Sequence, residues 1–199
     1  MPSPIAVIDF ETTGMAPAQG ARATEVAIVL LEGERVVDRF ASLMNTGVWI
    51  PPFITQLTGI TNAMVQAAPP AEGVMREAAR FVGNAPLAAH NAAFDSKFWQ
   101  SELRHAGLPA PQPFACTVLL SRRIYPDAPS HSLGNIAAHL GLPHTGRAHR
   151  ALADAEMAAA LLARMQRDLG QRYGQPWPDH ALLMRLQRCK RDSLHKLFA

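Results

Sequence analysis

Residues 5–14, IAVIDFETTG, constrain what this chain can fold into more than any other stretch. The apolar run Ile5-Ala6-Val7-Ile8 gives way to Asp9 and Glu11, and Thr12-Thr13-Gly14 follows as a turn signal. Such a pattern predicts a buried strand closed by a turn. Alternate side chains of a strand share a face, which places Asp9 and Glu11 side by side. Neighbouring carboxylates at the end of a buried strand repel each other and are costly to desolvate. A hard divalent cation held by oxygen ligands would offset both effects. A strand running out into a solvated acidic turn would carry the same ten residues.

A chain of 199 residues is long enough for one sizeable core, and 48% hydrophobic against 18% charged residues is a globular balance. No run approaches the ~20 apolar residues of a membrane span. Met1-Pro2-Ser3-Pro4 leads into the first strand without the basic and apolar regions of a signal peptide, so the expectation is a cytoplasmic protein with no membrane partner. Cys116 and Cys189 stand far apart and suggest neither a disulfide framework nor a zinc site. The net charge of +3 resides in residues 179–199, where Arg185, Arg188, Lys190, Arg191 and Lys196 face only Asp179 and Asp192. A nucleic-acid partner is allowed by this tail and not demanded by the rest.

Residues 24–31 and 34–40 read as strands joined by a tight turn at Glu32-Gly33, with a further short strand within 41–50. Pro51-Pro52 then breaks the chain. Short helices follow over 53–60 and 63–66, the second capped by Asn62, and 71–81 has helical spacing. A short buried strand over 86–89 precedes a helix over 92–106 that Asn91 would cap and Gly107 and Pro109 would end. A strand or helix starts around Cys116-Thr117, a helix covers 132–140, a loop covers 144–148, and an alanine-rich helix covers 150–169. Early hairpins followed by strands alternating with helices predict an α/β fold, a mixed sheet with helices on its faces. The expected organisation is one domain over 1–172, a Gly/Pro linker over 173–178, and a basic amphipathic helical tail over 179–199.

Two further places put polar groups where a strand ends or a helix begins. In HNAAFD, Asp95 lies one helical turn beyond Asn91, at the mouth of the sheet, although the helix dipole alone favours an acid there. In HRALADA, Asp154 falls among Leu152, Ala155, Ala158 and Leu162, where a lone acid wants a counter-charge. His149, five residues earlier, cannot stack with Asp154 on one helix face and must reach over from a loop or first turn. By itself it would be an ordinary surface histidine, one of eight.

In that order, DFETTG, HNAAFD and HRALADA closely resemble the three motifs of the DEDDh 3′–5′ exonucleases, the family of the proofreading epsilon subunit of bacterial DNA polymerase III. The resemblance spans residues 5 to about 169. It implies a ribonuclease H-like α/β fold, a mixed five-stranded sheet flanked by helices. It also implies Asp9, Glu11, Asp95 and Asp154 as ligands of two divalent metal ions, Mg²⁺ or Mn²⁺, with Asp95 often reaching the metal through water. His149 takes the place of the general base; a tyrosine marks the sister subclass. Phe10, Thr12 and Thr13 match positions that contact the 3′-terminal nucleotide, and Leu57-Thr58-Gly59-Ile60-Thr61 resembles the segment that packs against it. His90, Asn91 and Phe94 of the second motif join them as substrate-binding candidates, and residues 131–143 resemble the helix before the third motif. One departure is Cys116, where many relatives carry Asp before the Thr; it should alter local hydrogen bonding rather than chemistry.

The chemistry so implied is hydrolysis of a 3′-terminal phosphodiester, where positive charge between the acids and the anionic substrate relieves repulsion. A reference pKa near 6.5 suits His149 as a base at neutral pH. Leu57, Phe10 and Phe94 are candidates to wedge or stack on terminal bases, and all three also fit a core. Single-stranded DNA is the expected substrate, with RNA trimming as the alternative and a non-catalytic nucleic-acid-binding domain as a third reading. The tail could dock on the domain, contact phosphates, or bind a polymerase or sliding clamp, although LHKLF (residues 194–198) lacks the Gln expected of a clamp peptide.

Overall fold

The protein's computed structural model describes residues 3–143, 149–174 and 177–198. Its strands are β1 (Ile5–Thr12), β2 (Ala23–Glu32), β3 (Arg35–Leu43), β4 (Leu87–Ala89) and β5 (Phe114–Cys116), in one sheet of order β3-β2-β1-β4-β5. β1 is central, antiparallel to β2 and parallel to β4, and β5 continues parallel to β4. The expected mixed five-stranded sheet is therefore present. The β2–β3 turn falls at Gly33-Glu34, one residue later than expected, because Gly33 takes the left-handed position at φ 60°. No separate strand forms within 41–50. With no turn residue at Phe40-Ala41, β3 simply runs on to Leu43.

The helices are α1 (Pro52–Thr58), α2 (Asn62–Gln66), α3 (Ala71–Val82), α4 (Ala92–His105), α5 (Thr117–Ile124), α6 (Leu133–His139) and α7 (Ala151–Tyr173). Thr61, not Asn62, caps α2, its Oγ1 accepting the Met64 N–H at 3.2 Å. Asn62 instead clamps Ile50, accepting its N–H at 2.8 Å and donating to its carbonyl at 3.1 Å. Asn91 stands at the N-cap position of α4, yet its left-handed backbone (φ 68°) leaves it with no capping bond. The loop expected over 144–148 lies outside the described residues.

The period of two in β1 divides the interior. Ile5 and Val7 pack with α7, whereas Ala6, Ile8 and Phe10 pack with α3 and α4. Val7 and Ile8 are fully buried, and each contributes about 1.5–3 kcal/mol by leaving water. Ala151, Ala155, Ala158 and Ala159 let α7 lie close on the sheet where larger side chains would hold it off. Asp9 and Glu11 continue the odd row, so the acids emerge on the α7 side. α7 runs past Gly170 to Tyr173, whose ring stacks on Phe198 at 4.0 Å between centroids.

The tail is not one helix. α8 (His180–Leu186) and a 3₁₀ segment (Arg191–Leu197) are separated where Arg123 Nε donates to the Cys189 carbonyl at 2.9 Å, taking an acceptor that a continuing helix would use. Leu183, Leu186 and Leu194 are buried with α5 and α7. The Gln187 side chain accepts the Cys116 N–H at 2.6 Å and donates to the Phe114 carbonyl at 3.3 Å, along the outer edge of β5.

Candidate active site

β1 outruns β4, whose register pairs it only with Ala6 and Val7. Past that point the Phe10 N–H donates to Asp95 Oδ1 at 3.2 Å, so a buried carboxylate from α4 stands where a strand would have continued. On the α7 side, the first turn of the helix brings Asp154 to Asp9 and Glu11. Ligand oxygens of these three acids lie within 4.8 Å of one another, and no other such group of three occurs among the described residues. Asp95 is not in that trio; it lies behind Asp9, close enough to repel it.

The electrostatics are those of acids crowded without a counter-ion. Asp9 is held well above the usual carboxylate range, first by burial and then by Asp95, Glu11, Asp154 and Glu25. Burial, then Asp154 and Glu25, push Glu11 up to about 7, with Arg150 pulling the other way. Asp95 is pushed up to about 8 by burial despite N–H donors at its carboxylate, and Asp154 is raised by burial. An all-oxygen donor set of partly buried acids that resist ionisation suits a hard divalent cation, so the residues present fit the metal the sequence implies.

A pocket of about 210 Å³ opens over this cluster, lined by Asp9, Glu11, Asp154 and His149 together with Phe10, Thr12, Leu57, Thr58 and Phe94. His149 is exposed, has a left-handed backbone (φ 62°), and its N–H donates to Asp154 Oδ2 at 3.0 Å. Thr58 Oγ1 accepts from Ile60 N and donates to the Ile54 carbonyl, fixing the end of α1 beneath the exposed Leu57. Phe94 and Phe10 reach the pocket from an aromatic group around Phe98, with centroids 4.9 and 6.4 Å from it. Each therefore has one side in the core.

Besides Asp95, three candidates do not line the pocket. Thr13 is buried in the turn, exchanging bonds with Arg22 through its N–H and Oγ1. The His90 ring turns inward, Nδ1 lying 2.9 Å from Thr117 Oγ1, and burial lowers its pKa to about 4, so it is neutral at physiological pH. Asn91 lines a neighbouring groove of about 350 Å³ with Cys116, Arg122 and Gln187. The Cys116 N–H goes to Gln187, and Thr117 Oγ1 contacts both His90 and the Ala89 carbonyl. A larger groove of about 530 Å³, lined by Arg76, Arg80 and Leu108, contains no acid of the cluster.

Sequence reasoning passed over Met15, Glu25 and Arg150. Met15 is 76% exposed and lines the pocket together with Leu57. Glu25 is paired in register with Glu11, and Arg150 bonds to it across 125 residues. An exposed methionine after a turn glycine, and an acid in an otherwise apolar strand, were the available signals.

Fold and site together define the class: a ribonuclease H-like α/β domain with a carboxylate-lined pocket at the end of its central strand. The chain belongs to the RNase T exonuclease family, whose sequence model matches residues 6–162. It is 36% identical over 186 residues to the 3′–5′ exonuclease DinG of Bacillus subtilis, covering 92% of this chain but only 19% of that protein. With the DNA polymerase III subunit epsilon of Aquifex aeolicus it shares 34% identity over 185 residues, covering 92% of this chain and 90% of that one. The structure of Exonuclease X in complex with 5′ overhanging duplex DNA superposes with a TM-score of 0.68 at 27% identity, covering 90% and 98% of the two chains. No helix among the described residues is long and apolar enough to cross a membrane.

Proposed function

We propose that this chain hydrolyses the 3′-terminal phosphodiester of single-stranded DNA, releasing nucleoside monophosphates one at a time. The observation that carries the reading is the convergence of Asp9, Glu11 and Asp154, with His149 at the rim, in one pocket walled by apolar side chains. Asp9, Glu11 and Asp154 would hold divalent cations, two Mg²⁺ or Mn²⁺ ions, with Asp95 behind them. Such ions supply positive charge for the attacking and leaving oxygens of a phosphodiester. His149, exposed beside Asp154, accepts the proton of the attacking water. The exposed side chains of Leu57 and Met15 meet the terminal base, with the more buried Phe10 and Phe94 packed beneath. Thr12 Oγ1 bonds to the Gly14 carbonyl at 2.7 Å and keeps that turn against the pocket, where backbone can approach the nucleotide.

DNA is favoured because Exonuclease X is seen with duplex DNA and because epsilon is by name a DNA polymerase subunit. The relation to epsilon also supports a place beside a polymerase. Arg185, Arg188, Lys190 and Lys196 are exposed on the tail and offer an acidic partner or a phosphate backbone its counter-charge. The test is digestion of 5′-labelled single-stranded DNA and RNA of one sequence in Mg²⁺, Mn²⁺ or chelator. A ladder shortening from the 3′ end of DNA, abolished by chelator, is expected. Activity surviving chelator would refute the carboxylate mechanism, and preference for RNA would refute the substrate.

A further inference from the structure

The start of α7 has an unusual backbone. His149 is left-handed at φ 62°, Arg150 is extended at φ −128° and ψ 121°, and the helix begins abruptly at Ala151 with no cap from its own N-cap side chain. A non-glycine residue in the left-handed region is disfavoured by about 1–2 kcal/mol and persists where its surroundings impose it. Here the restraint comes from β2. Glu25 Oε2 and Oε1 accept Arg150 Nε at 3.1 Å and Nη2 at 2.7 Å, and Oε2 also accepts the Ala151 N–H at 3.0 Å. Glu25 thus caps a helix from the other end of the sequence, and a planar guanidinium fork fixes the residue between base and helix.

The sheet gains nothing from this acid. Glu25 is buried directly across from Glu11, where like charges disfavour strand pairing, and the next residue on its own face of β2, Ala27, is apolar. Neither Glu25 nor Arg150 lines the pocket. What their bond holds in place is the His149 backbone, whose N–H is in turn tied to Asp154 Oδ2.

We propose that Glu25 and Arg150 form a positioning pair, a cap supplied by β2 that sets His149 beside Asp154. The proposal rests on the exonuclease reading above and names what sets the geometry of that site. R150A alone strands the Glu25 carboxylate in the interior and would report on folding. The informative variants are R150K, which keeps the charge without the fork, and the double variant E25Q/R150A, which removes charge and fork together.

The readouts are steady-state exonuclease kinetics on labelled single-stranded DNA, melting in chelator, Mn²⁺ affinity by calorimetry, and amide hydrogen exchange at His149. Both variants should melt within a few degrees of wild type, and R150K, which keeps the charge, should bind Mn²⁺ as wild type does. KM should stay within about twofold while kcat falls about 10–100-fold, the scale of a catalytic group displaced by about an ångström. Protection of the His149 amide should be lost in both. A lowered melting temperature with unchanged kcat would make the pair merely structural and overturn the proposal. So would a raised KM at constant kcat, which would make Arg150 a phosphate contact. Unchanged His149 protection overturns it regardless of turnover. A wild-type chain without nuclease activity would instead refute the function while leaving the exchange measurement to judge the pair.

Discussion

Replacing Glu11 by Gln should make the metal-free protein more stable at alkaline pH and not at acid pH. The Glu11 carboxyl is raised from 4.5 to about 7, chiefly by burial and then by Asp154 and Glu25. Below pH 4.5 it is protonated in both folded and unfolded chains and gives no pH dependence. Between 4.5 and about 7 the unfolded chain releases its proton and the folded chain does not, so stability falls as pH rises. Above that range the full penalty, about 3 kcal/mol, is present. For a domain of this size that corresponds to about 6–12 °C in melting temperature. Glu11 also pushes up Asp9 and Asp95, so removing its charge flattens their part of the slope in the same direction. Thermal unfolding by circular dichroism in chelator, at pH 4.5 and pH 8, should show E11Q gaining that margin over wild type only at pH 8. Adding Mg²⁺ at pH 8 should stabilise wild type and leave E11Q nearly unchanged, since a ligand that binds only the folded state stabilises by mass action. An equal difference between the two proteins at both pH values would refute the reasoning, because burial of an ionised Glu11 would then carry no penalty.

Three further outcomes follow from the geometry. His149→Ala should lower kcat on single-stranded DNA by roughly 10²–10⁴-fold while Mn²⁺ affinity by calorimetry stays near wild type; full activity would remove His149 from the chemistry. Leu57→Ala should raise KM several-fold with kcat little changed, as expected of an apolar side chain that packs on the terminal base; an unchanged KM would assign Leu57 to α1 alone. Glu102, buried, accepts Arg22 Nε and Nη2 at 2.9 Å each and the Ala23 N–H at 3.0 Å. Glu102→Ala should therefore destabilise by about 3 kcal/mol in denaturant titration, and a loss under 1 kcal/mol would show that Arg22 finds solvent freely.

What could be read from the sequence were the features set by local periodicity. Alternation along β1 placed Asp9 and Glu11 on one face, and the helical start after Asn91 placed Asp95 at the strand end. Side-chain direction was less accessible. His90 and Asn91 share the motif with Asp95, but one ring turns inward to Thr117 and the other side chain faces a neighbouring groove, because strand and helix meet there through a left-handed residue. Thr61 and Asn62 exchange roles for a similar reason: either can cap a helix, and only the position of Ile50 decides which is needed elsewhere. Pairs such as Glu25 with Arg150, or Gln187 with Cys116, join residues 125 and 71 apart. No periodicity reports a bond of that kind, since it exists only once the sheet order is fixed.

Gln187 bears on how many molecules share a sheet. An outermost strand offers its unused backbone groups to any strand that meets it. Here one carboxamide occupies a donor and an acceptor of β5, so the sheet terminates in a side chain of its own tail. A chain cut before α8 would carry an open edge and could complete its ladder with a second copy. Loss of activity on such trimming would then report self-association, and only a size measurement alongside the nuclease assay separates that from a missing contact to DNA.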